Sequence, residues 1–152
     1  MTSKLDIYKA YYNAAWTNPP ASLAQAEKTY FSDTFQSLDK DGKVVMDRKT
    51  YDKMSQLLFT AFKDFKWTQE SIREDNDGVI ATGHFEGIHS GNLDLSAMGL
   101  GIIPPSGKKI VWPQSTVKFL ITGDKIIGEK NLSDPNPMAT FLTPLGVAVP
   151  VK

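Results

Sequence analysis

Four side chains in the second half of this 152-residue chain, His89, Glu129, Asn131 and Asp134, are of types that move protons or hold a developing negative charge. Taking a proton from the carbon next to a carbonyl needs one base within hydrogen-bond reach and one donor for the enolate oxygen. Asp134 or Glu129 can be that base, and His89, Asn131, Tyr11 or Tyr12 can be that donor. Structural roles compete for the same residues. A histidine at a strand end is more often hydrogen-bonded scaffold than catalyst, and Asp134 precedes Pro135, where an aspartate commonly starts a turn by bonding its own backbone. Other chemistries fit poorly. His84 and His89 are the two histidines and fall on opposite faces of one expected strand, so they cannot chelate one metal, and His-Glu-x-x-His is absent. Asp39-x-Asp41-Gly42 lacks the further ligands of a calcium loop, and Gly107-Lys108-Lys109 lacks the first Gly and final Ser or Thr of a phosphate loop. Gly-x-Ser-x-Gly is also missing. No metal is expected.

The elements that must position these groups can be read from hydrophobic spacing. Leu5, Tyr8, Tyr12, Ala15 and Trp16 recur at three- and four-residue steps and predict a first helix, with Ser3 ahead of Asp6 as its cap and Asn18-Pro19-Pro20 as its stop. Ser22 and Gln25 repeat the capping pattern before Leu23, Ala26 and Tyr30, a shorter second helix. Apolar stretches from Phe35 to Val45 flank Asp41-Gly42 and predict two small strands around a tight turn. Tyr51, Met54, Leu58, Ala61, Phe62 and Phe65 return to helical spacing for a third helix. Sheet follows: Lys66 to Glu74, a turn at Asp77-Gly78, a long bent strand from Val79 to Ser90, another from Lys108 to Ile121, and a Gly123-Asp124 turn into Lys125 to Leu132. Leu95 to Gly107 and Asp134 to Pro144 read as loops or short helical turns, the former equally a flexible lid and an inserted surface loop. Helices first and antiparallel sheet second indicate an α+β fold. With no repeat, low-complexity stretch or composition shift, 1–152 reads as a single domain.

Composition narrows the partners. Lys plus Arg and Asp plus Glu are both 17, giving zero formal net charge, so no long-range field draws in nucleic acid or an anionic membrane. There is no cysteine, which removes disulfides and thiolate chemistry, and no apolar run nears the ~20 residues of a membrane span. The polar start from Met1 to Asp6 has no signal-peptide core, and a cytoplasmic location is expected. Trp16, Trp67 and Trp112, with the eight phenylalanines that include Phe85, can line a hydrophobic pocket, and ordinary core is the competing role.

Helices packed into the concave side of a strongly curved antiparallel sheet resemble the cone of the nuclear transport factor 2-like (cystatin-like) superfamily, and particular residues resemble its SnoaL-like polyketide cyclase branch. Tyr51 to Trp67 followed by Asp77-Gly78-Val79 resembles that family's third helix, edge strand and turn. Gly83 to Asn92, G-H-F-E-G-I-H-S-G-N, resembles the segment in which His-x-Gly closes a strand. Pro104-Pro105-Ser106-Gly107-Lys108 is close to its Pro-Pro-Thr-Gly-Lys, Gly123 to Glu129 resembles its Gly-Lys-Ile-x-x-Glu hairpin, and Phe141 to Gly146 resembles its closing Leu-Leu-Gln-Gln-Leu-Gly. The similarity runs from about Arg48 onward. It departs at Asn131, where many relatives have Trp, in a longer loop before Pro104, and around Asp134 to Thr140, which aligns only with a gap.

The resemblance implies an interior pocket for a hydrophobic small molecule and a cofactor-independent aldol ring closure driven by an Asp near the end of the hairpin strand, Asp134 being the nearest. Ketosteroid isomerisation uses the same layout. It also implies a homodimer formed through the open sheet face. In strand parity, Val79, Ala81, Phe85 and His89 share the core face, and the family comparison puts Ile127, Glu129 and Asn131 inward. If His89 and Glu129 enter one apolar cavity, desolvation raises the carboxyl pKa and lowers the imidazole's, so that either is useful near neutral pH. The expected ligand contacts are Asn131, Tyr12, Trp16, Trp112 and Phe85. The rival readings are a non-catalytic small-molecule-binding module and a dimerisation domain whose cavity its own aromatics fill.

Overall fold

Ser3 opens the first helix: its Oγ accepts from the Asp6 backbone N–H at 3.0 Å, and α1 runs Lys4–Ala15. The computed structural model describes residues 3–134 and 137–146. Helix α2 (Ala21–Tyr30) starts at Pro20 with no side-chain cap, so the capping role expected for Ser22 and Gln25 is not taken up. Ser22 instead ties the two helices together, donating to the Ala15 carbonyl at 2.5 Å and accepting from Asn18 N–H at 2.9 Å. Strands β1 (Phe31–Leu38) and β2 (Val44–Asp47) follow, joined by a turn in which Asp39 Oδ1 accepts from the backbones of Asp41 and Lys43. Asp47 then caps α3 (Arg48–Ala61).

The third helix stops earlier than its periodicity suggests. Phe62 turns extended and β3 spans Phe62–Glu74, four residues ahead of the expected Lys66. Phe62 and Phe65 pack as strand residues because β4 (Gly78–His89) offers a ladder to Phe62 and Lys63 and again from Lys66 onward, with a bulge at Asp64 and Phe65 between, and such pairing outweighs local helical spacing. The expected strand from Lys108 to Ile121 is two strands, β7 (Lys109–Val111) and β8 (Ser115–Thr122), divided at Pro113, which has no N–H for a ladder. Between β4 and β7 the chain forms a small hairpin, β5 (Leu93–Asp94) and β6 (Ile102–Ile103), around one 3-10 turn at Ser96–Met98. Leu93, Leu95 and Ile103 are buried, so this excursion is docked at its base. Strand β9 (Lys125–Asn131) completes the sheet, and α4 (Pro137–Leu142) and a 3-10 turn at Thr143–Leu145 close the described chain.

The main sheet has the order β2-β1-β9-β8-β4-β3, with β7 on β4 beyond the reach of β8. All pairs are antiparallel except β1 with β9, which run parallel and set the first hairpin beside the outer strand of the β8–β9 hairpin. The sheet is curved, and helices cover one face. Gly83 permits the close approach there, since a Cβ on it would lie 2.3 Å from the Thr68 carbonyl oxygen and 2.7 Å from the Trp67 ring. Two apolar clusters result. One joins α1, α2 and β1 to the inner faces of β4, β8 and β9; the other joins the start of β3, the β5–β6 excursion, β7 and α4. Trp16 and Phe59 pack against both. No helix among the described residues is long and apolar enough to cross a membrane.

Candidate functional site

A bulge in β9 decides which carboxyl faces inward. The β8–β9 ladder pairs Ile121 with Ile126 and then Leu120 with Gly128, leaving Ile127 as the extra residue. Ile126 is therefore fully buried and Ile127 is 38% exposed, which corrects the expectation that Ile127 shares the inner face with Glu129. Beyond the bulge Glu129 turns toward the helices. The parallel β1–β9 register sets Ser37 beside it, and the Ser37 hydroxyl donates to Glu129 Oε1 at 3.1 Å. Desolvation pushes the Glu129 pKa up to about 7, with the Ser37 bond pulling the other way.

Tyrosines surround this carboxyl. Tyr8 and Tyr11 come from α1 and Tyr51 from α3, with Tyr8 5Å-scale ring packing on Phe119, whose centroid is 4.9 Å away. Burial raises the pKa of all three phenols, and the charge of Glu129 adds to each rise, so they stay protonated at neutral pH. Tyr8 spends its hydroxyl proton on Gln69 Oε1 at 2.6 Å. Glu129 and Phe119 of the sheet and Tyr51 of α3 are only half-buried, so this part of the interior is not fully closed over.

Glu27 was not among the expected site residues. Its side chain is 5% exposed, and Oε2 has no hydrogen-bond partner among the described residues. Burial foremost, then the charge of Asp52, push its pKa up to about 7; Arg48 opposes this and Glu129 adds to it. The signal was present in the spacing: Leu23, Ala26, Glu27 and Tyr30 fall at i, i+3, i+4 and i+7, so the glutamate stands on the apolar stripe of α2.

A cleft of about 570 Å³ opens where the C-terminal end of α1 passes the edge strand β3. Tyr12, Trp16, Phe65 and Trp67 supply aromatic walls, and Lys66 and Lys109, both bonded to Glu86, stand at the rim. Tyr12 stacks on Tyr8 at 6.3 Å, which links the cleft to the ring of tyrosines around Glu129.

The other expected residues lie elsewhere. Val79 pairs with Phe119, which pairs with Glu129, whereas His89 is ten positions further along β4, roughly 33 Å of strand. His89 and Glu129 therefore do not share a cavity: the long bent strand carries the imidazole into the second cluster, which corrects their expected convergence. There it is 1% exposed, stacked on Phe62 at 5.0 Å, with Ser106 Oγ 3.5 Å from Nδ1 and no partner for Nε2 among the described residues. Desolvation lowers its pKa, a backbone hydrogen bond at Gly91 opposing. Trp112 and Phe85 also belong to this half and do not line the cleft. Trp112 Nε1 donates to the Phe141 carbonyl at 2.9 Å and anchors α4, while Phe85 stacks on Phe65 at 5.2 Å. Asn131 Oδ1 accepts from the backbones of Ser133 and Asp134, folding the chain as it leaves β9, and Asp134 follows the strand rather than lying in it. Among the described residues no group of three metal-ligating side chains gathers.

Comparison with known proteins agrees with this architecture. A family model described as SnoaL-like polyketide cyclase matches residues 6–140. No curated protein sequence matches the chain. Among solved structures, a SnoaL-like polyketide cyclase, so assigned provisionally, from Jannaschia sp. CCS1 aligns with TM-score 0.70 at 14% identity over 95% of this chain and 93% of its own. AclR of Streptomyces galilaeus, provisionally a hydroxylase, aligns with TM-score 0.70 at 20% identity over 95% and 98%. IdmH of Streptomyces antibioticus, provisionally a polyketide cyclase, aligns with TM-score 0.64 at 18% identity over 95% and 99%. At these identities the structures establish a shared fold.

Proposed function

The chain belongs to the SnoaL-like polyketide cyclase family, and we propose that it acts there as a cofactor-independent cyclase or isomerase on a hydrophobic carbonyl compound, with Glu129 as the base. The observation that carries this reading is a desolvated carboxyl, held by Ser37 and within electrostatic reach of protonated tyrosines, in a part of the interior that is not fully closed over. A carboxyl with a pKa of about 7 is half ionised at neutral pH and can both take and return a proton there.

The reacting carbon of the substrate sits beside Glu129, which does not itself line the aromatic cleft, and the cleft, linked to it through Tyr12 and Tyr8, takes the remainder of the molecule. Glu129 removes the proton from the carbon next to a carbonyl, the C–H electron pair moves into the carbonyl, and a tyrosine hydroxyl donates to the enolate oxygen. The enolate carbon then attacks a second carbonyl of the same molecule, a carbon–carbon bond forms, and the proton on Glu129 passes to the new alkoxide. For an isomerase the proton returns to a different carbon. Atoms balance in both cases without any further reactant.

A direct test is deuterium uptake in D2O at the carbon next to the ketone of 2-tetralone and of aryl β-keto esters. Uptake is expected with the native chain and with Asp134→Asn, and is expected to be lost with Glu129→Gln. Loss with Asp134→Asn alone would move the base to the position that the family resemblance suggests. The cleft also supports a second reading, a non-catalytic binding module, in which these ketones bind but exchange no faster than in buffer. A homodimer across the uncovered face of the sheet is proposed with either reading, and a monomer in sedimentation at micromolar concentration counts against it.

A further inference from the structure

The aromatic cleft owes one of its walls to a change of phase in β3. Phe62 pairs with His89 and Trp67 with Phe85, so both face inward, yet they are five positions apart and plain alternation sets such residues on opposite faces. A bulge reconciles them. Asp64 and Phe65 together oppose Gly87, and Asp64 takes a left-handed backbone at φ 55°, the one such conformation at a non-glycine among the described residues. Aspartate tolerates that region, whereas a β-branched side chain is strained there. The extra residue turns Phe65 and Trp67 inward and Lys66 outward. Two glycines of β4 make room for the rings: a Cβ on Gly87 would lie 3.4 Å from the Phe65 ring, and one on Gly83 2.7 Å from the Trp67 ring. Between these glycines Phe85 stacks on Phe65 at 5.2 Å and lies 4.8 Å from Trp67. Tyr12 and Trp16 of α1 supply the other wall, and among the described residues neither is in ring contact with Phe65 or Trp67. Aromatic walls that line one cleft without touching each other leave a slot for a flat ring, since stacking rewards a π face over a saturated ring of the same size.

We propose that Asp64 is a positioning residue whose left-handed conformation builds, through Phe65 and Trp67, a stacking slot that selects a flat, conjugated ring portion of the ligand over an aliphatic one. Asp64 acts through backbone geometry and not through its charge. That this ligand is the substrate rests on the proposed function, whereas the slot and its preference are properties of the free chain.

The experiment is a titration of the intact protein, labelled at its tryptophan indole nitrogens, with 2-naphthol and with decahydro-2-naphthol, the same two-ring skeleton in saturated form. 2-Naphthol should shift the indole signals of Trp16 and Trp67 more than that of Trp112, which does not line the cleft, and should bind about tenfold more tightly than the saturated alcohol. Asp64→Gly and Asp64→Asn, which accept the left-handed backbone, should keep both affinity and preference. Asp64→Val should weaken 2-naphthol binding by about tenfold and abolish the preference, with folding checked by circular dichroism. If Asp64→Val does not fold, Gly87→Ala crowds Phe65 from the other strand and should show the same loss, and the preference of the native chain is read in either case. Equal affinity for the two alcohols, a shift greatest at Trp112, or a folded Asp64→Val that keeps the native preference would overturn the proposal. A chain that shows the preference but exchanges no substrate proton retains the proposal and loses the enzymatic reading; exchange without the preference does the reverse.

Discussion

The two halves of the interior bury titratable groups in opposite ways. Around Glu129 and Glu27, tyrosine hydroxyls, a serine and an arginine reach into an aromatic shell, and two carboxyls are held with pKa values near 7. Against His89 lies Phe62, itself clustered with Trp112, Leu93 and Leu142; desolvation lowers the imidazole pKa, and Nε2 has no hydrogen-bond partner among the described residues. The first half keeps half-buried groups beside its carboxyl; the second stacks Phe62 on its imidazole, and the aromatic cleft runs along its edge at Phe65, Trp67 and Gly87. Polar partners favour the first as the place for the proposed chemistry.

Their pH signatures have opposite sign. A carboxyl whose folded pKa is raised from 4.5 to about 7 stabilises the fold fully below pH 4.5, and that contribution is lost as pH rises through about 7. An imidazole whose folded pKa is lowered from 6.5 contributes fully above pH 6.5 and loses its contribution as pH falls through the folded value.

The largest expected effect separates the halves by function. Glu129→Gln should lower deuterium exchange by about 10²–10⁴-fold, the usual worth of a positioned base, with the melting temperature unchanged or raised, whereas His89→Leu should leave exchange nearly intact. An equal loss in both would erase the distinction. Next, Phe62→Ala should cost about 3–5 kcal/mol in urea unfolding, because Phe62 is buried against His89, Phe65 and Trp112. Its effect on the Glu129 titration should be small. Glu27→Gln should raise stability at pH 8 by roughly 2–3 kcal/mol while changing little at pH 4, read from urea midpoints at the two values. Smallest is Ser37→Ala, which removes the 3.1 Å bond to Glu129 and should move the acid limb of the exchange profile upward in pH at a stability loss of about 1 kcal/mol.

Much of the scaffold was legible beforehand. The Ser3 cap, the stop at Asn18-Pro19-Pro20, the Asp39 to Gly42 turn and the Gly123-Asp124 hairpin rest on interactions a few residues apart, which local residue types suffice to specify. The α+β class followed from the order of helical and strand spacing, and the family resemblance from motifs in that order. The early start of β3 and the break at Pro113 were harder, since each depends on which strand lies alongside.

The site divided along the same line. Side-chain alternation placed His89 on the core face of its strand and grouped Glu129 with Ile127 and Asn131, and the family resemblance turned that group inward. The meeting of His89 and Glu129 was a statement about two strands, and the register of β4 with β8, together with the bend of β4, put them in different compartments. The bulge that buries Ile126 and exposes Ile127 is likewise a property of the pairing, since an extra residue exists only relative to a partner strand. Glu27 had its place on an apolar stripe written in its helical spacing, but its lack of a free counter-charge was not. That depended on Asp52 occupying Arg48, a competition among side chains that only come together once the helices have packed on the sheet.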